Sequence, residues 1–250
     1  MKMQAIKFTL SGKAACFKKP DVNEKVYFTY NNIHKVALLG LLGAVLGLKG
    51  YRNQTLFGEK KVEFPEFYEK LFALQVAIIP NAGRGYFSKK TQYFNNSVGY
   101  ASQEEGGNLM VYEQWLEKPS WTIYLMQGGV EAKLWERLAT SLLEQQCVYI
   151  PYLGKNDFPA IISSVEKREL VKAEGGNLFI SSLFVGDIAD LDDIATSDGS
   201  LPFIFSEYAP VALQEEHNFY KLDRLLYTNC EVDHDGQELF CDQDKLICFL

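Results

Sequence analysis

At 250 residues, 47% of them hydrophobic and 14% aromatic, the chain has material for one large domain or two small ones with a well-filled core. Its five cysteines (16, 147, 230, 241 and 248) are odd in number and form no CxxC pair, which excludes a regular disulfide framework and fits free thiols in a reducing cytosol. The net charge of −7 conceals a split: residues 1–100 carry fifteen Lys+Arg against six Asp+Glu, and residues 101–250 carry ten against twenty-six. Balances of +9 and −16 in one chain point to a polyanion-binding first part, because binding follows the local field and not the overall charge.

The first segment, MQAIKFTL, places Ile6, Phe8 and Leu10 on one face and reads as a strand. A basic loop follows, SGKAACFKKPDVNEK, with Lys13, Lys18 and Lys19. Next comes TYNNIHKVALLGLLGAVLGLKGY, residues 29–51, in which Val36 to Leu48 contains no polar side chain. Thirteen apolar residues fall short of the about 20 that a membrane-spanning helix needs. The run lies behind a polar, charged segment and does not read as a secretion signal, so a cytoplasmic protein is expected. It reads as a core helix, capped by Asn31 or Asn32 and ended by Gly50. Gly40, Gly43 and Gly47 inside it each cost about 1 kcal/mol relative to alanine. Such a cost implies that another backbone or a ligand comes very close, tight helix–sheet packing being the simpler reading.

FPEFYEKLFALQVAIIP begins as a short amphipathic segment and ends in a strand. NAGRGYFSKKTQYFNNSVGYASQEEGGN is polar, glycine-rich, basic and aromatic together, and reads as a long hairpin or flexible insertion at about 81–110. Strands LMVYEQWL and SWTIYLM follow, and EAKLWERLATSLLEQQC carries the apolar stripe of an amphipathic helix through Leu134, Leu138 and Leu142. Up to residue 150 the order is close to a split βαβ arrangement. The expected fold is therefore α+β: a ferredoxin-like domain over 1–150 with a hairpin insertion, and a β-rich part over 151–250. The later part holds an acidic loop, DIADLDDIATSDG, and a final hairpin turning near DHDG. The heptamers EGGNLMV (105–111) and EGGNLFI (174–180) are alike, which simple turn chemistry explains better than duplication.

Motifs for enzymatic chemistry are sparse. Cys230, His234, Cys241 and Cys248 lack the paired spacing of a structural zinc site, and the acidic loop lacks that of a calcium loop. No metal or other cofactor is expected. Neither a phosphate-binding P-loop nor a GxSxG elbow is present. With three histidines, His34 beside Lys35 and four residues from Tyr30 is the one base in basic surroundings. Such a group could serve metal-independent RNA cleavage, although contact with a phosphate or solvent is the simpler role. Binding is better supported. Lys13, Lys18 and Lys19 share a loop, and Lys35 sits at a helix N-terminus that favours anions. Arg84, Lys89 and Lys90 interleave with Tyr86, Phe87, Tyr93 and Phe94. Cations for phosphates with aromatic faces for bases are what single-stranded RNA requires.

Three segments, IKFTLSGKAACFKKP, TYNNIHKVALLGLLGAVLGL and YLGKNDFPA (152–160), agree in order and spacing with the family-five CRISPR-associated proteins, and resemble the type I-B branch most. The resemblance implies a RAMP-type palm with a hairpin thumb, at one end of the crRNA-guided Cascade complex. It implies a grip on the crRNA 5′ handle and contact with the family-seven backbone subunit and the family-eight large subunit, with target DNA reached indirectly through the complex. The type I-C branch cuts pre-crRNA, but here Lys89 and Lys90 are followed by Thr91 and not by histidine. A non-catalytic RNA-binding subunit is therefore expected, with a processing endoribonuclease or a protein adaptor as alternatives. The candidate RNA contacts are Lys13, Lys18, Lys19, Tyr30, Asn32, His34, Lys35, Arg84, Tyr86, Phe87, Lys89, Lys90 and Tyr93.

Overall fold

A computed structural model describes residues 2–20, 25–51, 64–173, 179–186, 195–197, 199–232 and 238–250. Strand β1 (Lys2–Ser11) buries Ile6, Phe8 and Leu10 on one face, as their alternation requires. After the short β2 (Ala14–Ala15) come helices α1 (Lys35–Leu46) and α2 (Glu66–Leu71) and strand β3 (Gln75–Pro80). The insertion is a hairpin, β4 (Lys89–Asn95) with β5 (Met110–Glu117), and it leads into β6 (Ser120–Met126), α3 (Ala132–Leu143) and β7 (Ile161–Lys172). The chain then forms β8 (Phe184–Val185), β9 (Ile204–Leu213), β10 (Tyr220–Thr228), β11 (Leu239–Asp242) and β12 (Lys245–Cys248).

The fold is mixed α+β. Its main sheet has the order β12-β11-β7-β1-β6-β3, and every adjacent pair is antiparallel. β1, β3, β6 and β7 with α1 and α3 make a βαββαβ unit whose strands lie in the order fourth, first, third, second. The fourth of these, β7, lies beyond residue 150 and is zipped along β1, so one sheet runs across the position where a boundary was expected.

Segment 180–183 bridges the two outer strands of that sheet. Ser181 N–H donates to the Leu246 carbonyl (2.7 Å) on β12, and Leu183 N–H donates to the Ile78 carbonyl (2.8 Å) on β3. Leu250 N–H adds a bond to Val76 (2.8 Å). Covering both edges removes unpaired backbone from solvent and curls the sheet around its inner face. Ala5, Ala77, Ile79, Tyr124, Met126, Leu170, Phe240 and Ile247 fill that face. The Tyr124 hydroxyl donates to the buried Asp242 carboxylate there (2.7 Å), with Lys7 Nζ 3.7 Å away. The outer face carries the larger core, with the apolar side of α1 and the Leu138–Leu142 stripe of α3. A second sheet, β8-β10-β9, continues from the bridging segment.

Helix α1 forms where the apolar run placed it, but its caps differ. His34 is the N-cap, its Nδ1 accepting the Ala37 amide (3.2 Å), because Asn31 and Asn32 are engaged elsewhere. Gly47, at φ 73°, ends it in the left-handed conformation, three residues before the expected Gly50. The interior glycines face α2: a Cβ at Gly43 would lie 2.6 Å from Phe67 Cβ, and one at Gly40 3.7 Å from the Phe67 ring. Close approach of a second helix, and not of the sheet, thus explains Gly43, whereas a Cβ at Gly40 would make only ordinary contact. Among the described residues no helix is long and apolar enough to cross a membrane. The second heptamer's residues 174–178, the acidic loop's five aspartates (187, 190, 192, 193 and 198) and the DHDG turn with His234 lie outside the described residues. The last described hairpin, β11 to β12, turns at Gln243 and Asp244.

Candidate nucleic-acid interface

The loop before α1 is a framework of buried polar groups. Thr29 Oγ1 accepts the Phe17 amide (2.9 Å) and donates to the Tyr30 carbonyl (2.8 Å), tying this loop to the basic loop after β2. Asn31 and Asn32 both donate side-chain N–H bonds to the Gly85 carbonyl, at 3.1 and 2.9 Å. Asn32 Oδ1 accepts the indole N–H of the fully buried Trp121 (3.0 Å). Gly85 sits at φ 73°, where a Cβ would also clash with Tyr227, so this position requires glycine. The segment GRGYF is thereby clamped at Gly85, and again at Phe87, whose ring packs edge-on against Trp121 (5.1 Å). Arg84 before the first anchor and Tyr86 between the two are exposed, Tyr86 by 55%.

Beyond that clamp the hairpin rises with two different faces. Lys90, Gln92 and Phe94 share one with their partners Trp115, Glu113 and Val111. This face is anchored: Lys155 Nζ meets Glu113 (2.6 Å) and lies 5.3 Å from the Phe94 ring centre, and Trp115 packs edge-on against Phe158 (4.9 Å). Lys155 and Phe158 belong to YLGKNDFPA, whose backbone also bonds the basic loop through Cys16 N–H to the Leu153 carbonyl (3.0 Å). Two of the segments that carry the resemblance are thus in direct contact. The opposite face presents Lys89, Thr91 and Tyr93, with Tyr93 stacked on Tyr112 at 4.3 Å and 54% exposed.

Several candidate contacts form a continuous neighbourhood at the foot of the hairpin. Lys18 lies over the Tyr27 ring (3.3 Å), and Tyr27 pairs with the edge of β5. Lys19 is held by Glu207 (2.9 Å), which also accepts the Asn31 amide (2.8 Å). Lys89 is close enough to both Lys19 and Glu207 to feel their charges. Lys13, Lys18, Arg84, Lys89 and Lys90 are exposed. Glu207, from β9, escaped the sequence reading because it comes from 176 residues away and carries no local pattern.

The remaining candidates are corrected by burial. Tyr30, Asn32, His34 and Phe87 are core side chains, enclosed by partners from distant strands that no local window contains. Lys35 is turned away from an incoming anion and donates to the Leu250 oxygen (2.8 Å), and burial lowers its pKa. His34 is ringed edge-on by Tyr30, Phe17 and Tyr220, and desolvation pushes its pKa down to about 3. With Nδ1 accepting the cap bond and the ring 3% exposed, it has no route to a ribose hydroxyl. Its role here is to start the helix.

No protein-family model matches the chain, and no curated protein matches it. Among solved structures it is similar to a chain described as "CRISPR RNA-guided surveillance complex", over 91% of this chain and 90% of that one, at TM-score 0.51 and 12% identity. It is also similar to a CRISPR protein from Archaeoglobus fulgidus, over 98% of each chain, at TM-score 0.50 and 9% identity. The shared feature is the fold. The likeness extends along nearly the whole chain, whereas the segments that carry the resemblance in sequence end at residue 160.

Proposed function

We propose that the protein is a non-catalytic subunit of a type I Cascade surveillance complex, of the family-five type and the I-B branch, that binds the 5′ handle of crRNA and caps the complex in cytoplasmic antiviral defence. In this reading the βαββαβ unit is the ferredoxin-like palm of a RAMP protein and the β4/β5 hairpin is its thumb. The observation that carries it is the foot of the hairpin. Exposed Lys18, Arg84, Lys89 and Lys90 lie about the foot of the hairpin, Lys89 on the face that carries the stacked platform of Tyr93 and Tyr112 and Lys90 on the other, on a scaffold fixed by Asn31, Asn32 and Phe87. Cations set phosphates and the platform stacks a base, with little positional freedom lost on binding.

The acidic later part serves as the protein-facing surface, toward the family-seven and family-eight subunits, and target DNA is met through the assembled complex. The burial of His34 in the core counts against the endoribonuclease alternative. The test mixes purified wild-type chain with repeat RNA in the absence of divalent metal. Intact RNA is expected. Specific cleavage abolished by His34→Ala would replace the binding assignment with a processing one.

A further inference from the structure

The hairpin also has an open edge. In the β4/β5 ladder Glu117 N–H donates to the Ser88 carbonyl (2.9 Å) and Asn96 N–H to the Leu109 carbonyl (2.8 Å). With the register Lys89↔Leu116 through Asn95↔Met110, the even-numbered residues of β4 exchange bonds with β5. Lys89, Thr91, Tyr93 and Asn95 therefore turn their N–H and C=O groups away from β5. The equivalent groups on the far side of β5 are used: Tyr27 N–H donates to the Tyr112 carbonyl and Gln114 N–H to the Tyr27 carbonyl, both at 2.9 Å. Among the described residues nothing pairs with the outward edge of β4. That edge is seven residues long, contains no proline and shows no register shift. Strands of this kind are usually protected, and among the described residues the guards are the lysines at its start.

We propose that this edge receives an extended segment of a partner protein as an added strand, acidic where it meets Lys89 and Lys90. Two features favour a polypeptide over a nucleic acid. The edge alternates donors with acceptors, and an extended peptide answers both. A phosphodiester chain offers acceptors and would set its charge against four carbonyl oxygens. The charge at one end fixes the partner's polarity: in antiparallel addition the segment's last residues lie opposite Lys89 and are acidic, and a β-branched or aromatic residue lies opposite Tyr93. RNA on the Tyr93–Tyr112 face and a peptide backbone on the edge use different groups of the hairpin, but both readings draw on the Lys89 and Lys90 ammonium groups, so an acidic segment and RNA phosphates compete there.

The test uses the full chain and a synthetic peptide alternating Val and Thr and closing on two Glu. Residue-resolved hydrogen exchange is expected to show new protection at the Thr91 and Tyr93 amides when the peptide is added. The same peptide, N-methylated at the positions facing the edge, is expected not to bind. Thr91→Pro removes a donor that the hairpin itself does not use and is tolerated on an edge strand. It is expected to weaken peptide binding about tenfold, equivalent to about 1.4 kcal/mol. Peptide binding that survives N-methylation would overturn the proposal. So would protection of these amides by oligouridine alone, which would assign the edge to RNA. Protection that rises with protein concentration alone would assign it to a second copy, and no protection at all would leave the edge to solvent.

Discussion

Asn32→Ala separates scaffold from contact. Asn32 makes two buried bonds, accepting from Trp121 Nε1 at 3.0 Å and donating to the Gly85 carbonyl at 2.9 Å. The two partners fare differently when it is removed. The Gly85 carbonyl keeps its bond from Asn31, but the indole N–H of a fully buried Trp121 loses its acceptor. A buried donor left without a partner costs about 1–3 kcal/mol, and the cavity adds to it, so a loss of about 2–3 kcal/mol is expected. Asn31→Ala is the internal comparison. It leaves the carbonyl served by Asn32 and its own backbone amide on Glu207, and is expected to cost about 1 kcal/mol. At about 2–4 °C per kcal/mol for a chain of this size, Tm should fall by about 4–12 °C for Asn32→Ala and about 2–4 °C for Asn31→Ala. Thermal unfolding of the two variants side by side measures this. Equal losses would refute the assignment of the Trp121 bond as the critical one. An unchanged Tm with lost RNA binding would return Asn32 to the surface as a direct contact.

Gly43→Leu is expected to destabilise by at least the about 1–3 kcal/mol typical of overpacking, because even a Cβ there comes within 2.6 Å of Phe67; urea unfolding checks it. His34 titrates at about 3 in the folded chain and near 6.5 when unfolded, so between these values the unfolded state binds the extra proton. Its contribution is fully present above pH 6.5 and is lost as pH falls toward 3, with a slope approaching about 1.4 kcal/mol per pH unit. Urea midpoints between pH 6.5 and 5 should fall for the wild type more steeply than for His34→Asn, which keeps an N-cap acceptor without the titration.

The elements that the sequence made legible are those whose burial is periodic and local. The alternation of Ile6, Phe8 and Leu10 and the stripe of Leu134, Leu138 and Leu142 each announce one face toward a core, and the continuous run LQVAIIP announces a strand buried on both faces. The glycines of α1 correctly signalled a close approach, but only the structure identifies Phe67 as what approaches. What the sequence withheld is non-local. Closure of the sheet by residues 180–183, the reach of Glu207 to Asn31 and the burial of His34 beside Tyr220 join positions far apart in the chain. The same applies within the hairpin: GRGYF reads as uniformly basic and aromatic, yet burial alternates along it, with Gly85 and Phe87 inward and Arg84 and Tyr86 exposed.

The central claim is that RNA is gripped by the exposed cations at the foot of the hairpin. It is tested by measuring handle-RNA affinity at several salt concentrations for the wild type and for the combined Arg84→Ala, Lys89→Ala, Lys90→Ala variant. If each cation meets one phosphate, the slope of log affinity against log salt, about −0.7 per contact on single strands, should flatten by roughly 2. Tyr93→Ala is expected instead to cost about 1–3 kcal/mol of binding with the slope nearly unchanged, since a stacked base releases no counterion. A slope that stays at the wild-type value in the triple variant would contradict the account and move the RNA site away from the hairpin.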